Sequence, residues 1–73
     1  MKVEYDKTAN AAYIYLTNIE DGGVNFTYPC DPSEVGGMIN LDFDNNNRLL
    51  GIEVLDADKI LPKELLDNAK IIG

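Results

Sequence analysis

The sequence predicts an α+β domain: an antiparallel β-meander of about five short strands with one C-terminal helix packed on one face. Three observations predict it. Apolar and polar residues alternate at period two in several short segments between Val3 and Leu55, the signature of half-buried strands. After Leu55 the apolar spacing becomes helical. The chain has 73 residues, of which 45% are hydrophobic, so residues 1–73 make a single domain close to the smallest size that one core can stabilise.

The first strand pair is read from Val3 and Tyr5, which alternate with Lys2, Glu4 and Asp6, and from Ala12, Ile14 and Leu16, which alternate with Tyr13, Tyr15 and Thr17. Lys7-Thr8-Ala9-Asn10 is the turn between them. Pairing Asp6 with Ala11 sets Tyr5 opposite Ala12 and Val3 opposite Ile14, so the apolar set shares one face. Gly22-Gly23 can supply the positive φ of a three- to five-residue hairpin. It leads into a third strand in which Val24, Phe26 and Tyr28 alternate with polar residues. Pro29 and Pro32 end that strand, and an irregular connection runs to Gly36-Gly37.

Met38 to Leu55 reads as a second hairpin. Ile39, Leu41 and Phe43 lie on one arm, Leu50, Ile52 and Val54 on the other. Odd and even positions must meet, so an even-numbered loop is expected. An Asn45-Asn46 turn, which Asn accommodates in the left-handed region, or a four-residue loop over Asp44 to Asn47, pairs Leu41 with Leu50 and Ile39 with Ile52. Asp56 to Lys59 is expected to be an irregular turn. Pro62 suits a helix's first turn, Glu64 favours its positive end, and Leu61, Leu65, Leu66 and Ala69 form its apolar stripe.

Composition excludes several chemistries. There is no histidine and one cysteine, Cys30, so one copy of the chain builds no His-dependent triad, zinc finger or internal disulfide. Asp31 beside Cys30 disfavours a reactive thiolate. Thirteen acidic residues against six basic ones give a net charge of -7, so no nucleic-acid partner is expected. The N-terminus carries acids at Glu4 and Asp6 where a signal peptide needs an apolar run. No apolar stretch approaches the ~18 residues of a membrane-spanning helix. A cytoplasmic location with no membrane partner is the expectation, and Asn25-Phe26-Thr27 then has no role as a glycosylation acceptor.

The hairpin from Asp42 to Glu53 places acids or amides at the first, third, fifth and twelfth positions of a calcium loop. Its sixth position is Asn47 where that loop needs glycine, and its flanks alternate as strands. With an Asn45-Asn46 turn, Glu53 pairs near Met38 and lies ~13 Å from Asp42. Asp42 with Asp44, and Asp56 with Asp58, stand at alternate positions ~7 Å apart and need further ligands to hold a cation. No metal, cofactor-binding or catalytic residue is assigned. Tyr13 and Tyr15 fall on the face opposite Ile14, and the expected register adds Met38, Leu49 and Leu55 to it. With Asp42 and Asp44 at the adjoining hairpin, Tyr13, Tyr15, Met38 and Leu49 make the candidate partner surface.

Val3-Glu4-Tyr5-Asp6 followed by Ala11-Ala12-Tyr13-Ile14-Tyr15-Leu16 resembles the opening of domain of unknown function family 2283. Gly37 to Asp44, followed by Arg48 to Ala57, resembles its second half, and the likeness extends to about Leu66. Two departures stand out: Asn10 where the family often has Asp, and Asn47 where Gly is usual. The resemblance implies a small prokaryotic α+β domain without an established activity. Some members are described as antitoxin partners of small toxin-like proteins, and an acidic module suits neutralisation of a basic partner.

The function expected is therefore a non-enzymatic protein-interaction module, antitoxin-like, whose partner is a basic protein or a second copy of itself. The alternative is a domain that binds a small ligand or divalent cation through the Asp/Asn-rich hairpin. An enzyme using paired carboxylates ranks below both, since so small a domain leaves little room for a pocket.

Overall fold

The computed structural model describes residues 1–73. In chain order the elements are β1 (Lys2–Asp6), β2 (Ala11–Tyr15), β3 (Phe26–Pro29), α1 (Pro32–Val35), β4 (Ile39–Phe43), β5 (Leu49–Leu55), α2 (Ala57–Ile60), α3 (Lys63–Asp67) and β6 (Lys70–Ile71). The α+β class is as predicted. Six strands replace about five, and three short helices replace one. The sheet runs β3-β4-β5-β2-β1-β6. Every neighbouring pair is antiparallel except β1 and β6, which are parallel.

The first hairpin has the expected register: Asp6 lies opposite Ala11, Tyr5 opposite Ala12 and Val3 opposite Ile14. Its turn is tied by the Asp6 carboxylate, which accepts from the Ala9 amide at 3.0 Å. It ends on Asn10 in the left-handed region, φ 52°. The meander stops there. β2 and β3 are not neighbours, and residues 16–25 carry the chain past the ends of β5 and β4 to the far edge. Gly22 does take positive φ, 75°, but in a connection rather than a hairpin. The physical reason lies in the strands themselves. A four-residue β3 ending on Pro29 can serve only at an edge, whereas β5 offers Ile52 and Val54 to Ile14 and Ala12 and belongs in the middle.

The second hairpin corrects the predicted register. Ile39 pairs with Val54 and Leu41 with Ile52, two residues from the expectation, and Leu50 is an extra residue that leaves Phe43 opposite Leu49. The loop is a turn with an Asn47-to-Asp44 hydrogen bond of 3.1 Å, closed by Asp44 to Arg48 at 3.0 Å, and Asn47 has φ 62°. That is a three-residue loop with a left-handed last residue. The β5 bulge supplies the residue that restores parity, so an odd loop and matching apolar faces coexist.

α1 occupies the connection expected to be irregular. Asp31 caps it by accepting from the Ser33 amide at 2.9 Å, Pro32 opens it and Gly36 closes it at φ 74°. α2 occupies the turn predicted after β5. Asp56 precedes it with φ 52° and makes no side-chain cap. The capping comes instead from Asn10: its carbonyl accepts from the Ala57 amide at 3.0 Å and its side chain from the Asp58 amide at 3.2 Å. α3 follows Pro62 and buries Leu66. The chain then adds β6 beside β1, held also by the Ile72 amide to the Tyr5 carbonyl at 3.0 Å.

The helices cover one end of one sheet face. Ala12, Val54, Ala57 and Leu66 form the core there, packed by Tyr5, Ile39, Ile52, Ile60 and Leu61. The Ile60 tip closes over Gly37, where a Cβ would lie 2.3 Å from Cδ1 and push that side chain aside. Only six residues are buried, so the core is small even for this length.

Candidate interaction face

Register places Lys2, Glu4, Tyr13, Tyr15, Gly51, Glu53, Asn40, Asp42 and Thr27 on the sheet face away from the helices. This outer face is polar and aromatic. Tyr13 and Tyr15, alternate residues of β2, hold their rings 4.7 Å apart at 54°. The Tyr13 ring crosses β5 over Gly51, where a Cβ would lie 2.5 Å from Cε1 and from the hydroxyl oxygen. Glycine inside a strand commonly marks so close an approach. The crossing brings the Tyr13 hydroxyl to Asp42, to which it donates at 2.5 Å, and Thr27 donates to the other Asp42 oxygen at 2.5 Å. Asp42 thus ties β2, β4 and β3 together.

A second group lies beside it. Asn40 donates to Glu53 at 2.8 Å, and Tyr15 donates to Glu4 at 2.7 Å. The Lys2 ammonium sits 4.3 Å from the Tyr15 ring centroid and 4.0 Å from Glu4 Oε2. The Tyr13 phenol is pushed well above its ordinary value, first by burial and then by its hydrogen bond to Asp42. The Tyr15 phenol is raised mainly by its hydrogen bond to Glu4, with burial second. Both tyrosines therefore remain protonated donors at neutral pH, and each hydrogen bond orients a carboxylate that keeps acceptor capacity toward solvent.

The structure brings Tyr13, Tyr15 and Asp42 together and separates the other sequence-predicted positions from them. Met38 lies at the far end of this face, half exposed at 51%. Leu49 leaves the face: the bulge at Leu50 pairs it with Phe43 on the apolar side. Asp44 belongs to the hairpin tip, where its carboxylate accepts from the Asn46 amide at 2.8 Å and the Arg48 amide at 3.0 Å. Glu53 lies opposite Asn40 rather than near Met38, one pleat from Asp42. No three acidic or cysteine side chains converge as a metal-ligating group. Cys30 is half-buried and free. The Asp31 carboxyl lies below its usual range because the Ser33 hydroxyl and amide donate to it. Of the face residues, Lys2, Glu4, Thr27, Asn40 and Gly51 are not singled out by the sequence, and Glu53 only as the last position of a calcium-loop pattern; Gly51 alone of the first five carries a local signal, as a glycine inside an apolar strand.

Strands β1 to β5, the bulge and the tyrosine pair lie within residues 2–57, and over those residues the chain matches the model of a family described as protein of unknown function (DUF2283). The chain belongs to the DUF2283 family. The matched part closes at Ala57, short of Leu66, so it contains the five long strands and the first residue of α2 but neither α3 nor β6. Searches of curated proteins and of solved structures find no match. In this DUF2283 chain no helix is long and apolar enough to cross a membrane.

Proposed function

We propose that this DUF2283 protein is a non-enzymatic interaction module whose outer sheet face receives a cationic segment of a partner protein. The observation that carries the reading is the seating of Lys2. Its ammonium rests over Tyr15 and beside Glu4, so the face already holds one cation between an aromatic ring and a carboxylate. Asp42 and Glu53, each oriented by a neighbouring side chain, extend the same chemistry across the sheet. A net charge of -7 would speed encounter with a basic partner and weaken that encounter with salt. An antitoxin-like role, in which the module neutralises a small basic protein, is the biological form that suits this chemistry. The acidic Asp/Asn hairpin is a weaker basis for cation binding, because Asp44 is engaged by the turn's own amides.

The test is calorimetric titration with a Lys/Arg-rich peptide at low and at physiological salt. Binding should weaken steeply with salt and fall at least tenfold in Asp42→Asn/Glu53→Gln. Failure to bind at low salt, or unchanged binding by the double variant, would overturn the reading.

A further inference from the structure

The other sheet face carries no charge at any strand position. Val3, Phe26, Tyr28, Leu41, Phe43 and Leu49 follow from the register as its members beyond the core, next to the buried Ile14. Phe26 and Phe43 stack with centroids 5.0 Å apart. Phe26 remains 42% exposed and Tyr28 58%, although both lie on the side that faces the core elsewhere in the sheet. We infer that this face is the seat of a second copy of the same chain.

Two quantities favour that occupant. The accessible surface is 5036 Å², against about 4,500 Å² for a compact chain of 8.1 kDa. The excess of about 500 Å² per copy is of the order that a stable interface removes, about 800 Å² from each partner. The slab-like shape, 32 × 28 × 18 Å, provides a broad face of that size. Charge points the same way. Two copies at -7 each repel, and the approach that keeps the carboxylates of both outer faces farthest apart is apolar face to apolar face. A basic partner would find nothing to pair with here.

The free edge of β3 is a poorer contact. The Cys30 amide bonds the Ile39 carbonyl at 2.8 Å, so by the alternation of antiparallel pairs Tyr28 and Phe26 turn their backbones to β4, leaving Thr27 and Pro29 to face outward. Pro29 has no amide hydrogen, which blunts strand addition. Packing of sheet on sheet about a two-fold axis, with Phe26, Tyr28 and Phe43 at the centre, uses the surface that is available.

Sedimentation equilibrium at about 100 μM, above the micromolar limit of standard-sized interfaces, should give twice 8.1 kDa. Tyr28→Lys, at an exposed edge-strand position, should retain the circular dichroism of the wild type and halve the mass. Phe26→Ser serves the same purpose should the lysine disturb folding. Glu53→Lys on the outer face should leave the dimer intact. A monomeric wild type, a dimer that survives both Tyr28→Lys and Phe26→Ser, or a dimer lost with Glu53→Lys would each overturn the inference. Peptide binding by the outer face is read separately, so either proposal can fail without the other.

Discussion

Asn10 concentrates more structural duty than any other side chain. It takes φ 52° at the end of the first turn, accepts from the Tyr5 hydroxyl at 3.1 Å and the Asp58 amide at 3.2 Å, and donates to the Asp58 carboxylate at 2.7 Å. Asn10→Ala removes these bonds and places a Cβ-bearing residue without a local hydrogen bond in the left-handed region. It should lower stability by about 2 kcal/mol in urea denaturation, the sum of a lost cap and a left-handed penalty. The sequence marked Asn10 as a turn residue and a departure from the family's usual Asp, but not as a cap, because Asp58 lies 48 positions away. The tyrosines make a second prediction. Their folded-state phenols titrate above the unfolded value of 10.0, so the associated stability is complete below pH 10 and is lost as pH rises from there through the folded pKa. Absorbance titration should show late phenol ionisation that is lost when Tyr13 and Tyr15 are replaced by Phe. Tyr13→Phe should make alkaline unfolding less steep above pH 10. Late ionisation that persists in the doubly substituted protein would contradict the arrangement.

At the level of elements, the first hairpin was legible to the residue, since its apolar pattern and a four-residue turn admit one register. The second was legible in its arms and not in its joint. Parity required an even count, and the protein meets it with a three-residue turn plus the Leu50 bulge, two compensating irregularities that leave the periodic pattern of Ile39, Leu41, Ile52 and Val54 untouched. Leu49 was misplaced for that reason. The C-terminal helix was legible as α3, but α1 and α2 were missed for a different reason: they are four residues each, too short to display a period, and α2 is capped from outside its own segment. The turn itself yields a prediction. Asn47 sits at φ 62°, where glycine has no steric penalty, so Asn47→Gly should raise stability by about 0.5–1 kcal/mol. The same change at Asp44, whose carboxylate binds the turn amides, should lower it. Thermal melts of the two variants separate these effects.

For the whole molecule, the outer face was legible as far as Tyr13, Tyr15 and Asp42, which strand alternation assigns correctly. Its hydrogen-bond partners were not, because Thr27, Asn40 and Glu53 meet only through the order β3-β4-β5-β2. That order places the apolar aromatic residues and the carboxylates on opposite sides of one sheet. A molecule 32 Å in its longest dimension with a charge of -7 lies wholly within its own field at 10 mM salt, where the screening length is about 30 Å, and mostly outside it at physiological salt, about 8 Å. The melting temperature should therefore rise by several degrees between these conditions. A fall would mean that attractive ion pairs, here only Lys2 with Glu4 and Lys63 with Asp67, outweigh repulsion.

The cap supplied by Asn10 also couples two distant parts of the fold. α2 has no side chain of its own to satisfy its first amides, and the group that does so is set in place by the β1–β2 turn. Opening that turn therefore uncaps the helix that seals the core, so the two should lose their amide-exchange protection together.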